Sequence, residues 1–417
     1  MKVVVAGLWH LGCVTAACAA TKFRVVGLDF DEAVVAELNG GRAPIAEPGL
    51  NELTQRGLGA GRLRFTADAA DAGADADLLW VCWDTPVDAE DVADVEWVIE
   101  QVRRAVAGLR TGALVLVSSQ VPVGTGARLA EEFPGFRWAY SPENLRLGKA
   151  IAAFTEADRA IVGCDEGDRG LLGELFAPFA KEVIFMRMAS AEMVKHGLNS
   201  FLALSITFIN EIGRLCELTG ADAAEVSAGL KSDVRIGKRA YLGAGGPFAG
   251  GTLARDVVAL SELGRKRGET LEVIPAIKRS NDRHRGWAFS ALERKLGGFE
   301  GKRVAVLGLV YTVGTNTLRR SAAVELCEKL VGAAVDVRAF DPAVEELPRG
   351  LTAVTLAGSV AEALAGADAA VVCTAWPEFR EIDWGDSGMR GDLVVDADGF
   401  LGAVPGLRCV SVGRSAG

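Results

Sequence analysis

The sequence predicts an α/β protein with two doubly wound, parallel-sheet domains joined by a long central helix and a helical region. Three observations support this prediction. Short apolar runs alternate with helical segments in the first part of the chain, the alternation restarts near residue 303, and the stretch between carries apolar residues at helical spacing without a break. Repeated strand–helix units favour parallel sheets. The predicted domains are residues 1–188, 189–285 and 286–417.

The elements of the first domain are predicted from apolar runs that end at glycine, acidic or other polar residues. The predicted strands cover residues 2–6, 23–29, 76–83, 113–118, 159–163 and 182–185. Helices are predicted at 11–20 and 31–38. Strands alternating with helices in this way are typical of a sheet with helices on both faces.

The central region and the last domain follow in order. The uninterrupted helical pattern runs from residue 190 to about 218, and further helical signal reaches about residue 283, interrupted by a glycine-rich loop at 242–252. A helix of this length often links two domains or forms a dimer interface. Strands are predicted again at 303–308, 334–340, 369–374 and 393–396.

Composition and charge exclude several classes of function. The net charge is -10 and no run of Lys or Arg stands out, so nucleic acid is not an expected partner. No secretory signal is expected, and no apolar run reaches the 18 or so residues of a membrane span. The eight cysteines are scattered without metal-like spacing. We therefore expect no metal site, reduced and buried thiols, and a cytoplasmic location without membrane partners.

The first strand-to-helix turn resembles a dinucleotide fingerprint. It reads Gly7-Leu8-Trp9-His10-Leu11-Gly12, with glycine at the first and sixth positions and Trp9 at the third, where glycine is usual. Asp29 stands 22 positions after Gly7, at the end of the second predicted strand, where a carboxylate accepts from ribose hydroxyls and disfavours a 2′-phosphate. We therefore predict a Rossmann-type domain that binds NAD in preference to NADP through the residues of this turn and Asp29. His10 is expected near the cofactor pyrophosphate or packed locally.

Specific runs along the rest of the chain carry a family resemblance. They are Pro44-Ile45-Ala46-Glu47-Pro48-Gly49-Leu50, Val121-Pro122-Val123-Gly124-Thr125, Ser141-Pro142-Glu143-Asn144-Leu145-Arg146, Ala191-Glu192 with Lys195 and Asn199, Asp341-Pro342, and Thr374-Ala375-Trp376-Pro377-Glu378-Phe379-Arg380. With these runs the chain resembles the UDP-glucose/GDP-mannose dehydrogenase family over almost its whole length.

The resemblance implies a set of site residues. Lys195 and Asn199, four apart on one helical face, point at the reacting sugar carbon, hold the catalytic water and stabilise oxyanion charge in that family. Asp256 and Glu143 are further catalytic candidates. Additional cofactor residues implied are Thr85, Gln120 and Arg319, and the implied substrate residues are Leu145, Arg146, Tyr241, Phe248, Gly250 and Gly251.

The resemblance also implies a partner and a location for the substrate. The central helix and the helical dimerisation region around it pack against a second copy in the family, so a homodimer is expected. The alternative is that the helix only spans the two domains of one chain. The nucleotide of a sugar substrate is expected in the last domain.

The departures from the family pattern concern the chemistry. Counting back from Asp256 places Thr252 where the family has its nucleophilic cysteine. Other altered positions are Gln120, Leu147, Thr312-Val313, Asn316-Thr317 and the Asp396-Ala397-Asp398 run, which lacks an expected arginine. A threonine hydroxyl without an adjacent base is a weak nucleophile, so the usual thiohemiacetal route to an acid is not available to it.

Three hypotheses stay open at this point. The protein oxidises a nucleotide-activated sugar once, releasing or passing on an aldehyde or returning the hydride in a redox-neutral rearrangement. It oxidises the sugar twice, through the aldehyde hydrate and without a covalent intermediate. Or it only binds NAD and a sugar nucleotide, against which the retained Lys195, Asn199 and Asp256 argue. UDP-glucose, GDP-mannose and N-acetylated UDP-sugars all suit the pattern.

Overall fold

The computed structural model describes residues 1–88, 93–143, 145, 148–249 and 252–414, which divide into two compact units, Met1–Leu198 and Asn199–Gly417. The strands of the first unit are β1 Lys2–Ala6, β2 Arg24–Leu28, β3 Leu63–Thr66, β4 Leu78–Val81, β5 Leu114–Val117, β6 Arg137–Tyr140, β7 Ala160–Gly163 and β8 Val183–Met186. Its helices are α1 His10–Ala19, α2 Glu32–Asn39, α3 Leu50–Gly59, α4 Ala69–Gly73, α5 Val95–Val106, α6 Thr125–Glu132, α7 Ala150–Thr155 and α8 Arg169–Phe176.

The first unit is a doubly wound sheet, as predicted. Its eight strands have the order β3-β2-β1-β4-β5-β6-β7-β8. All neighbouring pairs are parallel except β6 and β7, which meet antiparallel at Tyr140 and Gly163. Along β1, Val3 and Val5 enter one buried cluster while Val4 and Ala6 enter another. The sheet is therefore covered on both faces, which explains why its strands read as continuous apolar runs.

A 32-residue helix, α9 Met188–Thr219, follows the first sheet and is slightly longer than predicted. The remaining helices of the second unit are α10 Ala223–Ser232, α11 Thr252–Arg267, α12 Val273–His284, α13 Trp287–Leu296, α14 Ala322–Gly332 and α15 Val360–Leu364. Its strands are β9 Arg303–Leu307, β10 Asp336–Phe340, β11 Thr355–Leu356, β12 Ala369–Val372, β13 Leu393–Asp396 and β14 Arg408–Val410.

The second unit contains the predicted second parallel sheet, with the order β11-β10-β9-β12-β13-β14. Val304 and Val306 of β9 enter one buried cluster, and Ala305 and Leu307 enter another. Capping side chains fix where several helices begin: Asp222 accepts from two backbone N–H groups of α10, and Ser321 accepts from one of α14.

Four strands were not predicted, namely β3, β6, β11 and β14. Three of them carry an arginine within three or four residues, as in the runs LRFT, RWAY and RCV, and β11 has only two residues. Three of the four lie at the edges of their sheets. Short edge strands are half exposed, so they lack the continuous apolar pattern on which the prediction depended.

Candidate active site and cofactor site

The turn between β1 and α1 has no room for side chains at its first and last glycines. Gly7 has a φ of +92°, and a Cβ atom there would lie 2.6 Å from the backbone nitrogen of Trp83. A Cβ atom on Gly12 would lie 1.7 Å from the carbonyl oxygen of Gly7. Trp9, which stands third, is 50% exposed and immediately precedes α1. The turn therefore keeps the tight bend and the close helix–strand packing of a dinucleotide fingerprint, whereas Trp9 occupies the position where glycine usually lets the backbone approach the pyrophosphate.

Asp29 follows β2, the strand next to β1, and its carboxylate accepts a hydrogen bond from the backbone of this turn. Its Oδ2 atom accepts from the backbone N–H of Leu8 at 2.7 Å, and its Oδ1 atom accepts from that of Asp31 at 3.1 Å. A carboxylate oxygen has two lone pairs, so both atoms keep acceptor capacity for ribose hydroxyls. A 2′-phosphate would meet the same negative charge. The glycine turn and Asp29 together fit NAD.

His10 packs locally against a buried carboxylate that the sequence did not single out as a site residue. Its Nε2 atom lies 3.0 Å from Oε2 of Glu47. Glu47 also accepts from the backbone N–H groups of Gly148 at 2.8 Å and Ala150 at 2.9 Å. Glu47 therefore joins the cofactor turn to the loop before α7. The only sequence signal for this role is the presence of Glu47 in a specific motif, because its partners lie far away along the chain.

Four other predicted cofactor residues are placed within their own units. The Thr85 hydroxyl, beyond β4, donates to the carbonyl oxygen of Gln120, beyond β5, at 2.7 Å, and both residues are buried. Leu11 lies in the buried core beneath the turn. Arg319 is an exposed residue of the second unit. Their proposed contacts with the cofactor stay predictions.

Lys195 and Glu143 form a charged pair in the first unit, in which the lysine is buried and the glutamate is partly exposed. The Lys195 Nζ atom donates to the Glu143 carbonyl oxygen at 2.6 Å and to its Oε1 atom at 3.2 Å, and the Lys195 side chain is 4% exposed. The other carboxylate oxygen of Glu143 accepts from the backbone N–H of Leu145 at 2.8 Å. Because two of the three ammonium donors point to one residue, the direction of the third is fixed by the protein. Arg146 lies outside the described residues.

Two neighbours of Lys195 on α9 hold the loop that follows Gln120. Glu192 accepts from the backbone N–H of Gly124 at 2.7 Å and from that of Gly126 at 2.8 Å, at the start of α6. His196 Nε2 lies 2.9 Å from the Val121 carbonyl oxygen. Burial raises the pKa of Glu192, and the two backbone donors oppose that shift. The same helix turn thus positions both the lysine and this loop.

The second unit contains a buried amide–carboxylate pair. The Asn199 Nδ2 atom donates to the Asp256 Oδ2 atom, and Asp256 is fully buried. Thr252 is the first residue of α11, one helical turn before Asp256, and it is exposed. The position of the expected nucleophile therefore carries a solvent-accessible hydroxyl at the N-terminus of a helix.

Side chains from three parts of the second unit form hydrogen bonds with the glycine-rich loop that precedes Thr252. Asn210 accepts from Gly245 N–H at 2.9 Å and donates to the Gly246 carbonyl at 3.2 Å. Asn281 bonds both backbone groups of Phe248, and Asp398 accepts from Gly246 N–H at 2.8 Å. Among the predicted substrate residues, Phe248 is buried and Tyr241 is 46% exposed, while Gly250 and Gly251 lie outside the described residues.

His284 also bonds this loop, as a neutral imidazole. Its Nε2 atom lies 2.7 Å from the Gly245 carbonyl oxygen, so that nitrogen is the donor. Its Nδ1 atom then accepts from Arg214 at 3.0 Å. Burial, the largest cause, lowers the pKa of His284, and Arg214 lowers it further. Both ring nitrogens are used, so His284 is a support for the loop and not a base for Thr252.

A cavity opens at the carboxyl edge of the second sheet, where nucleotides bind in doubly wound folds. It is lined by the segments that follow β9, β12 and β13, by the start of α14 and by the glycine-rich loop; its polar lining residues are His284, Arg285, Tyr311, Ser321, Thr374 and Asp398. Beside it, Asp341 accepts from the backbone N–H groups of Leu309 at 2.6 Å and Val310 at 3.0 Å. Asp341 thus forms in the second unit the same kind of carboxylate–backbone contact that Asp29 forms in the first.

The cysteines offer no substitute nucleophile. All eight are free, and six are buried. Burial raises the pKa of the thiols of Cys13, Cys18 and Cys327 to about 12 and also raises that of Cys82, Cys164, Cys373 and Cys409. The eighth, Cys216, is 4% exposed within α9. Because the thiolate is the reactive form, these environments are those of inert structural cysteines.

Two features are absent from the residues that the structure describes. No helix there has the combined length and hydropathy that crossing a membrane requires. No group of three or more His, Cys, Asp or Glu side chains there is arranged to hold a metal ion.

Comparison with known proteins agrees with the order of these parts. Residues 1–180 match the NAD binding domain of the UDP-glucose/GDP-mannose dehydrogenase family, residues 189–283 its central domain and residues 305–403 its UDP binding domain. The UDP-glucose 6-dehydrogenase of Pseudomonas aeruginosa is 36% identical over 421 residues, covering 95% of this chain and 93% of that protein. The one of Rhizobium meliloti is 33% identical, covering 99% and 100%.

Solved structures show the same likeness. A UDP-glucose dehydrogenase from Pyrobaculum islandicum is 32% identical, with a TM-score of 0.88 over 99% of this chain and 98% of the other. A UDP-D-ManNAc dehydrogenase from Pyrococcus horikoshii is 27% identical, with a TM-score of 0.87 over both complete chains. Together with the glycine turn, Asp29 and the matched domains, these findings show that the chain belongs to the UDP-glucose/GDP-mannose dehydrogenase family and is an NAD-dependent nucleotide-sugar oxidoreductase.

Proposed function

We propose that this protein oxidises a primary alcohol of a nucleotide-activated sugar once and stops at the aldehyde. The observation behind this proposal is Thr252, an exposed hydroxyl where the resemblance expects the cysteine that serves the second oxidation. A hydroxyl stays protonated near neutral pH and needs a general base to attack a carbonyl. His284, which bonds the glycine-rich loop from the end of α12, has both ring nitrogens engaged.

The single oxidation requires only groups that the chain retains. The alcohol carbon loses a hydride and its oxygen loses a proton, which leaves an aldehyde, one reduced cofactor and one proton. NAD, when bound, supplies the hydride acceptor. We assign to Lys195 the donor that faces the reacting oxygen, since its other two donors are held by Glu143. Asn199 and Asp256 are assigned to hold the water that removes the proton.

A second candidate, two oxidations without a covalent intermediate, has one specific observation in its favour. The carboxylate of Glu143 lies 3.2 Å from the Lys195 ammonium, so a base stands beside a cation where an aldehyde hydrate would have to lose its proton. The relatives cited above are named UDP-glucose 6-dehydrogenases. Those names suit either candidate, because both begin with the same alcohol.

We infer that the nucleotide of the substrate binds in the cavity at the carboxyl edge of the second sheet. Its lining combines hydroxyl, imidazole and backbone groups with the glycine-rich loop, which suits a nucleoside diphosphate. The matched family describes this region as its UDP binding domain. Leu145, Arg146, Tyr241, Phe248, Gly250 and Gly251 remain the proposed sugar-binding residues, and UDP-hexoses are the substrates to test first.

A homodimer and a cytoplasmic location are also proposed. Phe201, Phe208 and Leu215 recur every seven residues along α9 and are 64%, 45% and 55% exposed. A stripe of large apolar side chains at this spacing is suited to packing against a second helix. The eight free cysteines favour a reducing compartment. We keep residues 1–188, 189–285 and 286–417 as the proposed domains.

Replacing Thr252 tests the single-oxidation proposal. Thr252→Cys restores a thiol at the start of α11, and we expect it to raise the yield of sugar acid per aldehyde at least about tenfold, by analogy with the strength of covalent catalysis. The product is identified by mass spectrometry after incubation with NAD. Thr252→Ser, which keeps the hydroxyl, is the matched control and is expected to leave the product unchanged. Equal acid yields from wild type and both variants would refute the role given to this position.

A further inference from the structure

Three planar groups stack in the first unit at the cofactor end of the sheet. The ring of Phe30 lies parallel to that of Trp83, with an angle of 11° between planes and 6.0 Å between centroids. On Phe30 lies the guanidinium of Arg104, whose Cζ atom is 3.7 Å from the ring centroid. The side chains come from the segment after β2, the segment after β4 and helix α5. This arrangement is a cation–π contact supported by a second aromatic ring.

The stack ends on the exposed side of Arg104. Phe30 is contacted by the ring of Trp83 and by the guanidinium of Arg104, so Arg104 is the member of the stack considered for a ligand. Arg104 is exposed, and its Nη1 atom donates to Gln101 one turn earlier on α5 at 3.1 Å. Within the described residues it forms no ion pair with a carboxylate. A planar cation is thus held in place with its outer face open.

The place of the stack relates it to the cofactor. Phe30 is the residue next to Asp29, which is assigned to the ribose of NAD, and Trp83 is the residue that leaves no room for a side chain at Gly7. Adjacent Cα atoms are about 3.8 Å apart, so Phe30 lies directly beside the residue that is assigned to the ribose. In doubly wound sheets the nucleotide lies along this carboxyl edge.

We propose that the outer face of the Arg104 guanidinium stacks against the adenine ring of NAD. Arginine suits this contact because its guanidinium is flat and weakly hydrated, whereas a lysine ammonium offers a point charge without a face. The contact involves the flat face of the base and not the groups at its edge. It therefore contributes affinity for any ligand that carries adenosine. It rests on NAD binding in the first unit and not on the number of oxidations.

Titration calorimetry on the full chain tests this contact without any sugar substrate. For Arg104→Ala we expect the Kd values of NAD and of ADP-ribose to rise about five- to tenfold, which lies between the size of an exposed cation–π contact and that of a desolvated one. The Kd of nicotinamide mononucleotide, which lacks adenine, is expected to stay within about twofold of the wild-type value. Arg104→Lys is expected to recover less than half of the loss, because it restores the charge without the plane.

Arg103→Ala is the matched control. Arg103 is the preceding residue on α5, is exposed and pairs with Glu100, so its removal should leave all three Kd values unchanged. An Arg104→Ala protein that binds NAD within about twofold of wild type would overturn the proposal. An equal rise in the Kd of nicotinamide mononucleotide would also overturn it, because that would indicate general disturbance of the site. Full recovery of NAD affinity by Arg104→Lys would overturn it too, because charge alone would then account for the contact.

Discussion

Lys195 is the residue to which the structure gives the most constrained chemical role. Its ammonium is almost completely buried, and two donors are directed at Glu143. A buried cation held at a fixed position can stabilise negative charge on a reacting oxygen without reorganising. Its helix turn also carries Glu192 and His196, which hold the loop after Gln120.

Removing the Lys195 ammonium is expected to stop the first hydride transfer. For Lys195→Ala we expect kcat to fall by about 10²- to 10⁴-fold, the range for general acid–base and electrostatic groups, with the Kd of NAD nearly unchanged. Lys149→Ala, at an exposed position, is the control and should retain full activity. Stopped-flow detection of NADH separates the chemical step from binding. Turnover within about tenfold of wild type would remove Lys195 from the mechanism.

Among individual residues, the sequence could predict those that lie in motifs but not the pairs that form between distant segments. Lys195, Asn199 and Asp256 were predicted as site residues from their positions in recognisable runs, and their roles are still predictions. The pairing of His10 with Glu47 joins residues 37 apart, and Arg104 is one exposed arginine on a polar helix face. Neither pairing has a local pattern, because long-range contacts are set by how helices pack on the sheet.

Among the elements, the glycine-rich loop before α11 depends most on support from elsewhere. Its backbone groups are bonded by Asn210 of α9, by Asn281 and His284 of α12, and by Asp398 after β13. A loop whose N–H and C=O groups are met by side chains is held in one conformation. We therefore expect its shape to respond to any change in those side chains.

The His284 contact makes the stability of this region depend on pH. Burial lowers the pKa of His284 below its ordinary 6.5, so the unfolded chain takes up the proton first as the pH falls. The contribution of neutral His284 to the free energy of unfolding is therefore fully present above about pH 6.5. It is lost as the pH falls from that value to the lowered pKa. Arg214, Glu217 and Asp398 are the charged groups that act on the ring.

His284→Gln is the variant that isolates this effect. Glutamine can still donate to Gly245 and accept from Arg214, but it does not titrate. We expect its Tm to fall less than that of wild type between about pH 7.5 and about pH 5.5, as measured by calorimetric melts. Parallel Tm profiles for the two proteins would contradict the role given to His284.

The elements themselves were largely predictable, with one class of exception. Buried strands such as β1, β4 and β9 are continuous apolar runs, and α9 has helical spacing over 32 residues, so local pattern was sufficient. The antiparallel contact of β6 with β7 was not predicted, because repeated βα units imply only parallel neighbours. Strand direction at that position depends on the segment between them and not on the strands.

For the whole molecule, the exposed stripe on α9 carries the prediction of a dimer. Light scattering should give twice the chain mass of 43.8 kDa for wild type. The double variant Phe201→Glu, Phe208→Glu places charge on the stripe and is expected to give a monomer, since like charges in an apolar interface are desolvated without partners. Val234→Glu, at a 93% exposed apolar residue off α9, is the control. A stable dimer of the double variant would place the interface elsewhere.

The number of NADH molecules formed per nucleotide sugar consumed shows how many times the whole enzyme oxidises its substrate. The assay covers UDP-, GDP- and dTDP-hexoses, with mass spectrometry of each product. Thr252 in place of a thiol predicts one NADH and an aldehyde from the best substrate. Two NADH and a sugar acid would refute the single-oxidation proposal and would show that this site completes both oxidations without a cysteine.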